Sequence, residues 1–201
     1  FRRVLFRSLI LVANSEQPFK TAGELVKYAK ANPGKMSYGA LNVGSLTHLA
    51  GELFKLVVGI DMVNVAYNGE ALVLDTLSGR LQAAVLTTSS TGSHIQSGRL
   101  RGLAILGPSR SPILPSVPTV AEAGLPAIDA DGWQGLAVRT GTPQPVFDRL
   151  TREMGAILQS EDFQAKLRAQ GALPVSETPE QFRQKIESDL NSWAKLVASG
   201  K

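Results

Sequence analysis

No cysteine occurs in the chain, which removes disulfides and thiolate metal sites and leaves the redox compartment open. Histidine is nearly as scarce. Only His48 and His94 are present, with no His-x-x-x-His or similar ligand spacing, so no metal site is expected. No G-x-x-x-x-G-K run is available to cradle a phosphate, and no G-x-S-x-G elbow frames a serine nucleophile. No apolar run approaches the ~20 residues of a membrane span, so direct membrane insertion is not expected. Basic clusters with interleaved aromatics are missing too. Three of the 21 basic residues are Arg2, Arg3 and Arg7, which leaves 18 positive against 17 negative elsewhere, and no nucleic-acid partner is expected.

What remains is 201 residues of ordinary globular composition, 43% apolar and 19% charged, long enough to bury a core. The opening FRRVLFRSLILVAN could be the charged head and apolar middle of a secretion signal. Arg7 interrupts the apolar run, however, and residues 9–13 are too few for a signal core. FRRVLFRS resembles the in-frame translation of a sequencing adapter. Residues 1–8 are therefore expected to be a non-native scar outside the fold, on a protein that continues upstream of Leu9.

From residue 9 onward, apolar runs alternate with helical stripes. Strands are expected at 9–13, 36–40, 62–66, 81–86 and 103–106. Helices are expected between them, one opened by the capping-box spacing Thr21-Ala-Gly-Glu24 and another carrying Leu46, Leu49, Ala50, Leu53, Phe54 and Val57 at helical spacing. A shorter helix is expected from about Thr91. This order predicts an α/β fold with a mainly parallel sheet. A second capping box at Thr119–Glu122 predicts a short helix, and Trp133 begins a further strand. Helices fill the remainder, the last opened by Thr178-Pro-Glu-Gln181. Three terminal helices need an apolar partner surface, and the sequence shows no obvious sheet for them.

In open α/β sheets, ligands bind beyond the carboxyl ends of strands, at the starts of the following helices. Two loops fall there: Gly39-Ala-Leu-Asn-Val-Gly-Ser-Leu-Thr-His48 and Tyr67-Asn-Gly-Glu-Ala71. Unpartnered amides and a partial positive charge at a helix start favour an anion such as a carboxylate. Gly44 lets the backbone approach a ligand, and Ser45 and Thr47 add hydroxyls. The bland alternative is that Ser45 caps its helix and Gly44 turns the chain. His48 suits packing or support better than catalysis, Glu70 would repel anions unless turned outward or paired with a cation, and Trp133 suits a core.

The run YGALNVGSLTHLAGELFKLVVGIDMVNVAYNGEAL resembles the centre of the Bug/TctC family, the extracytoplasmic receptors of tripartite tricarboxylate transporters. SPILPSVPTVAEAGLP and the W-x-G-L-x-x-x-x-G-T-P stretch from Trp133 to Pro143 fit the same family, and the similarity runs from residue 9 to 201. The resemblance implies a periplasmic-binding-protein-like, two-lobe α/β architecture whose first lobe is incomplete here. Residues 9–14 would be a crossing strand, 15–131 the inserted ligand-binding lobe, and 132–201 the C-terminal share of the first lobe. It further implies a periplasmic solute receptor that catalyses nothing and needs no cofactor, with membrane permease components as partners. The ligand would be a small organic acid held by amides, hydroxyls and water rather than an arginine clamp. The positions carried over are Asn42, Gly44, Ser45, Thr47 and His48 from the first loop, and Tyr67, Gly69 and Ala71 from the second, with Glu70 beside them. Val43, Leu46, Glu70 and Leu86 depart from the usual pattern and point to a less polar acid or an amide. Two rival readings are a small hydrolase using Ser45 and His48 and the sensor domain of a regulator.

Overall fold

The computed structural model describes residues 2–175 and 177–198. They fall into two units, one formed by 2–7 with 133–198 and the other by Ser8–Gly132.

In the first unit, β1 (Arg2–Arg7) runs antiparallel to a short strand further along the chain. Residues 2–7, expected to lie outside the fold, thus form a strand of it. In the second unit, β2 (Leu9–Asn14) is buried at every position, as a continuous apolar run with neighbours on both faces must be. Helix α1 (Ala22–Ala31) follows its capping box. Thr21 Oγ1 accepts from the Glu24 amide at 3.1 Å, and the Glu24 carboxylate reaches back to the Lys20 amide at 2.6 Å, one residue beyond the cap itself. Then come β3 (Ser37–Leu41), α2 (Leu46–Val58), β4 (Val63–Tyr67), α3 (Ala71–Leu77), β5 (Ala83–Thr87), α4 (Thr88–Gln96) and β6 (Leu100–Ile105).

The strands form one sheet in the order β4-β3-β5-β2-β6. β3 is parallel to both β4 and β5, while β2 is antiparallel to both β5 and β6. Four of the five strands thus share one direction, and β2 alone runs against them. The four strands linked by helical crossovers all point one way, as alternation predicts. β2 is also followed by a helix, α1, yet it runs against β3 from a place between β5 and β6, so alternation alone does not fix its direction. Ile10, Val12, Leu72, Leu81, Ala84 and Ile105 meet in the core around it.

Residues 107–131 wrap the sheet without a helix. The Thr119 box does close, with Thr119 N donating to Glu122 Oε2 at 2.8 Å and Glu122 N to Thr119 Oγ1 at 3.2 Å. The expected helix does not follow. Turns replace it because Gly124, at φ +77°, and Pro126 end the segment before a second helical turn can form.

The first unit resumes with β7 (Gly132–Leu136), α5 (Gln144–Gln159), α6 (Glu161–Ala169), β8 (Ala172–Pro174) and α7 (Pro179–Ala198). Its strands form a sheet in the order β7-β1-β8. The sheet that seemed to be missing is present in small form, and its centre is the strand at 2–7. Trp133 lies edge-on to buried Phe182, with ring centroids 4.8 Å apart, and its indole N–H donates to Asp189 at 2.8 Å. It holds strand to helix, as a core tryptophan with one polar partner does.

Candidate functional site

Parallel pairing brings the carboxyl ends of β4, β3 and β5 to one edge of the sheet, where α3, α2 and α4 begin. Leu41 and Tyr67 are paired in register, so the two predicted loops leave adjacent strands at the same level. The start of β2 lies at this edge as well, since Ile10 pairs with both Leu86 and Ile105.

The loop before α2 is held by its own hydroxyls. Gly44 turns the chain at φ +82°, a conformation that a side chain would strain. Ser45 is the N-cap, and its Oγ accepts from the His48 amide at 3.3 Å and donates to the Leu41 carbonyl at 3.0 Å. Buried Thr47 Oγ1 accepts from the Leu41 amide at 3.0 Å and lies 3.1 Å from Ser45 Oγ. The hydroxyls thus satisfy the loop first. The amides of Leu46 and Thr47 have no bonded acceptor among the described residues. Asn42 and Gly44 are exposed beside them. His48 Nδ1 accepts from the Gly44 amide at 3.3 Å, so Nε2 is the ring nitrogen left to donate. The ring makes no bond to Ser45 Oγ, so these two residues do not form the serine–histidine pair a hydrolase requires.

Behind the loop, a buried contact fixes the angle of α2 on β3. The Tyr38 hydroxyl donates to Glu52 Oε1 at 2.6 Å, and Lys55 Nζ donates to both Glu52 oxygens at 3.0 and 2.9 Å. Burial first, then the hydrogen bond and negative charge of Glu52, push the Tyr38 phenol far above its usual range. Gly51 is required here: a Cβ would lie 2.3 Å from the Tyr38 ring.

At the second loop, the Tyr67 hydroxyl donates to Asp75 Oδ2 at 2.8 Å, and Asp75 Oδ1 pairs with Arg80 at 3.0 Å. Desolvation, then Asp75, raises the Tyr67 phenol. Its hydroxyl is engaged within the unit, so what it offers a ligand is its ring. Gly69 has φ +64°, and Gly69, Glu70 and Ala71 are exposed. Glu70 takes the N-cap position of α3 without a side-chain capping bond.

A third helix start lies earlier than the sequence suggests. α4 begins at Thr88 rather than near Thr91, and Thr87 is its N-cap, accepting from the Ser90 amide at 3.3 Å. Thr87 Oγ1 is also 3.1 Å from Ser89 Oγ, and the Thr88 amide donates to the Ser8 carbonyl. The signal was Thr87-Thr88-Ser89-Ser90-Thr91 directly after an apolar strand. Low helix propensity of these residues hid it. Leu86, one residue earlier, packs into the core. Among the described residues no cluster of His, Cys, Asp or Glu could hold a metal ion.

The tripartite tricarboxylate transporter family receptor model matches residues 3–200. The chain belongs to this family. Protein BugT of Bordetella pertussis is 36% identical over 190 residues, which cover 94% of the chain and 58% of BugT. Two solved structures share the fold across 98% of the chain. R. palustris Rpa4515 with adipate has a TM-score of 0.88 at 28% identity, with 66% of its chain covered. The periplasmic binding protein BugD has a TM-score of 0.84 at 27% identity, with 67% covered. The chain thus spans somewhat over half the length of BugT and about two thirds of these structural relatives.

Proposed function

We propose that this chain is the main ligand-binding part of a periplasmic receptor that captures a small organic carboxylate and delivers it to the membrane components of a tripartite tricarboxylate-type transporter. The receptor binds and releases its solute without chemical change. The observation that carries the reading is the convergence of helix starts at one edge of the sheet, with free amides on α2 and no lysine or arginine in the loops 42–48 and 67–71. Such an edge suits an anion held by partial charges and hydrogen bonds rather than by a strong ion pair. The adipate named with the R. palustris relative is an anion of this kind.

In this reading 15–131 is the inserted lobe that holds the ligand. Asn42 and His48 Nε2 offer hydrogen bonds to it, Gly44 and Gly69 keep the backbone accessible, and Ser45 and Thr47 hold the loop in shape from below. Tyr67 and Ala71 border the ligand, with Glu70 beside them. Among the described residues no helix is long and apolar enough to cross a membrane, as suits a receptor that meets its permease from outside.

Ser45→Ala combined with Gly69→Val in the full-length protein tests the site. Carboxylate affinity measured by calorimetry is expected to fall at least tenfold, while circular dichroism keeps a cooperative melt. Valine at φ +64° costs about 1–2 kcal/mol, within the reserve of an ordinary domain. Unchanged affinity in a folded double variant would remove both loops from the site.

A further inference from the structure

Asn68 is the one asparagine of the chain that is followed by glycine. An asparagine side-chain amide can be attacked by the main-chain nitrogen of the next residue, and glycine, with no Cβ, obstructs that approach least. In a folded protein the attack needs three conditions. The side chain must be free to turn, the following N–H must not be committed to an acceptor, and the backbone between them must be able to rearrange.

All three are met at Asn68. It is exposed, and its side chain makes no hydrogen bond among the described residues. The Gly69 amide has no bonded acceptor among them either. The pair lies after the last residue of β4 and before the first of α3, outside the regular bonding of both. Every other asparagine fails a condition. Asn14 is buried and donates to the carbonyls of Thr76 and Leu77 at 3.3 and 2.8 Å. Asn191 lies within α7, where the helix holds the backbone. Asn32 precedes Pro33, which has no N–H to lose. Asn42 and Asn64 precede valines, whose branched side chains crowd the nitrogen.

We propose that Asn68 is a self-modification site, at which the folded protein closes a succinimide ring and ages to isoaspartate and aspartate. The Gly69 nitrogen gives its proton to water or hydroxide and bonds to Asn68 Cγ. The Cγ–Nδ2 bond breaks, and the side-chain nitrogen leaves as ammonia. One water then opens the five-membered ring. Opening at Cγ leaves aspartate, while opening at the former main-chain carbonyl leaves isoaspartate, whose backbone runs through Cγ and is one methylene longer. Either product adds a negative charge to the loop between β4 and α3, and isoaspartate also lengthens it. The conversion needs no solute and stands apart from the receptor reading.

The full-length protein, native and in urea, is held in warm, mildly alkaline buffer and digested at acidic pH at intervals. Mass spectrometry with fragmentation locates each converted residue and separates isoaspartate from aspartate. In the native protein Asn68 is expected to convert at least about tenfold faster than Asn14 or Asn191, and within about threefold of its own rate in urea, because the fold does not hold it. Both products are expected, and Gly69→Ala should slow the reaction about tenfold. A native rate about tenfold or more below the rate in urea would overturn the proposal, since the fold would then protect the site. Aspartate formed without isoaspartate, or an unchanged rate in Gly69→Ala, would overturn it too, by showing direct hydrolysis in place of ring closure.

Discussion

Thr47 shows how much of the candidate site is committed to its own architecture. Its side chain is buried at 5% exposure, and its hydroxyl satisfies the amide of Leu41 at the point where β3 ends. Thr47→Val keeps the shape but leaves that amide without its acceptor. A loss of about 1–2 kcal/mol in denaturant unfolding is expected, whereas a change below about 0.3 kcal/mol would show that water replaces the hydroxyl at no cost. The sequence located Ser45, Thr47 and His48 in the loop that opens α2, because a Gly-Ser turn before an apolar stripe marks a helix start. It did not reveal that the hydroxyls bond inward, since Thr47 meets Leu41 only once strand and helix have packed. Tyr38 offers a second check. Its phenol is raised, so the unfolded chain loses this proton first, near pH 10, and the native state is penalised as pH climbs beyond that. Native stability should therefore fall above pH 10 by up to about 1.4 kcal/mol per unit from this group, and Tyr38→Phe should flatten the slope by that amount. An identical slope in the variant would mean that the phenol ionises equally in both states.

At the scale of elements, apolar runs and caps located every strand of the larger sheet to within a few residues, together with the helices between them. Direction was less legible. The sequence of β2 describes burial on both faces but carries nothing about polarity, which follows from where the chain enters the sheet. The Thr119–Glu122 pair makes a related point. Both capping bonds form, yet a cap nucleates a helix only if enough residues remain before the next breaker, and Gly124 and Pro126 come too soon. Helix α2 succeeds because Gly51 lets it settle against the Tyr38 ring. Gly51→Ala improves helix propensity but drives a methyl to 2.3 Å from that ring. The crowding should win by about 1–3 kcal/mol, read as a lowered melting temperature. A raised melting temperature would mean that α2 can move away from β3 at little cost.

At the scale of the whole molecule, both units leave some large apolar residues uncovered. In Ser8–Gly132, Val43, Val63 and Leu74 are 75, 52 and 63% exposed. In the other unit Leu136, Val146, Leu150 and Ile157 are each between 44 and 54% exposed, and Leu136 and Leu150 line an apolar depression of about 230 Å³. A patch of this kind promotes association. The 201-residue chain studied alone is expected to sediment as oligomers that shift toward monomer in the double variant Leu136→Lys, Leu150→Lys. A monomeric native chain would contradict this. The edge joining the starts of α2, α3 and α4 is proposed to capture a small carboxylate without transforming it. Calorimetric titration of the full-length receptor with a series of aliphatic acids and amino acids, followed by mass spectrometry of the recovered solute, tests it most directly. Saturable one-to-one binding of at least one acid, recovered unchanged, is expected. No binding across the series, or recovery of a reaction product, would contradict it.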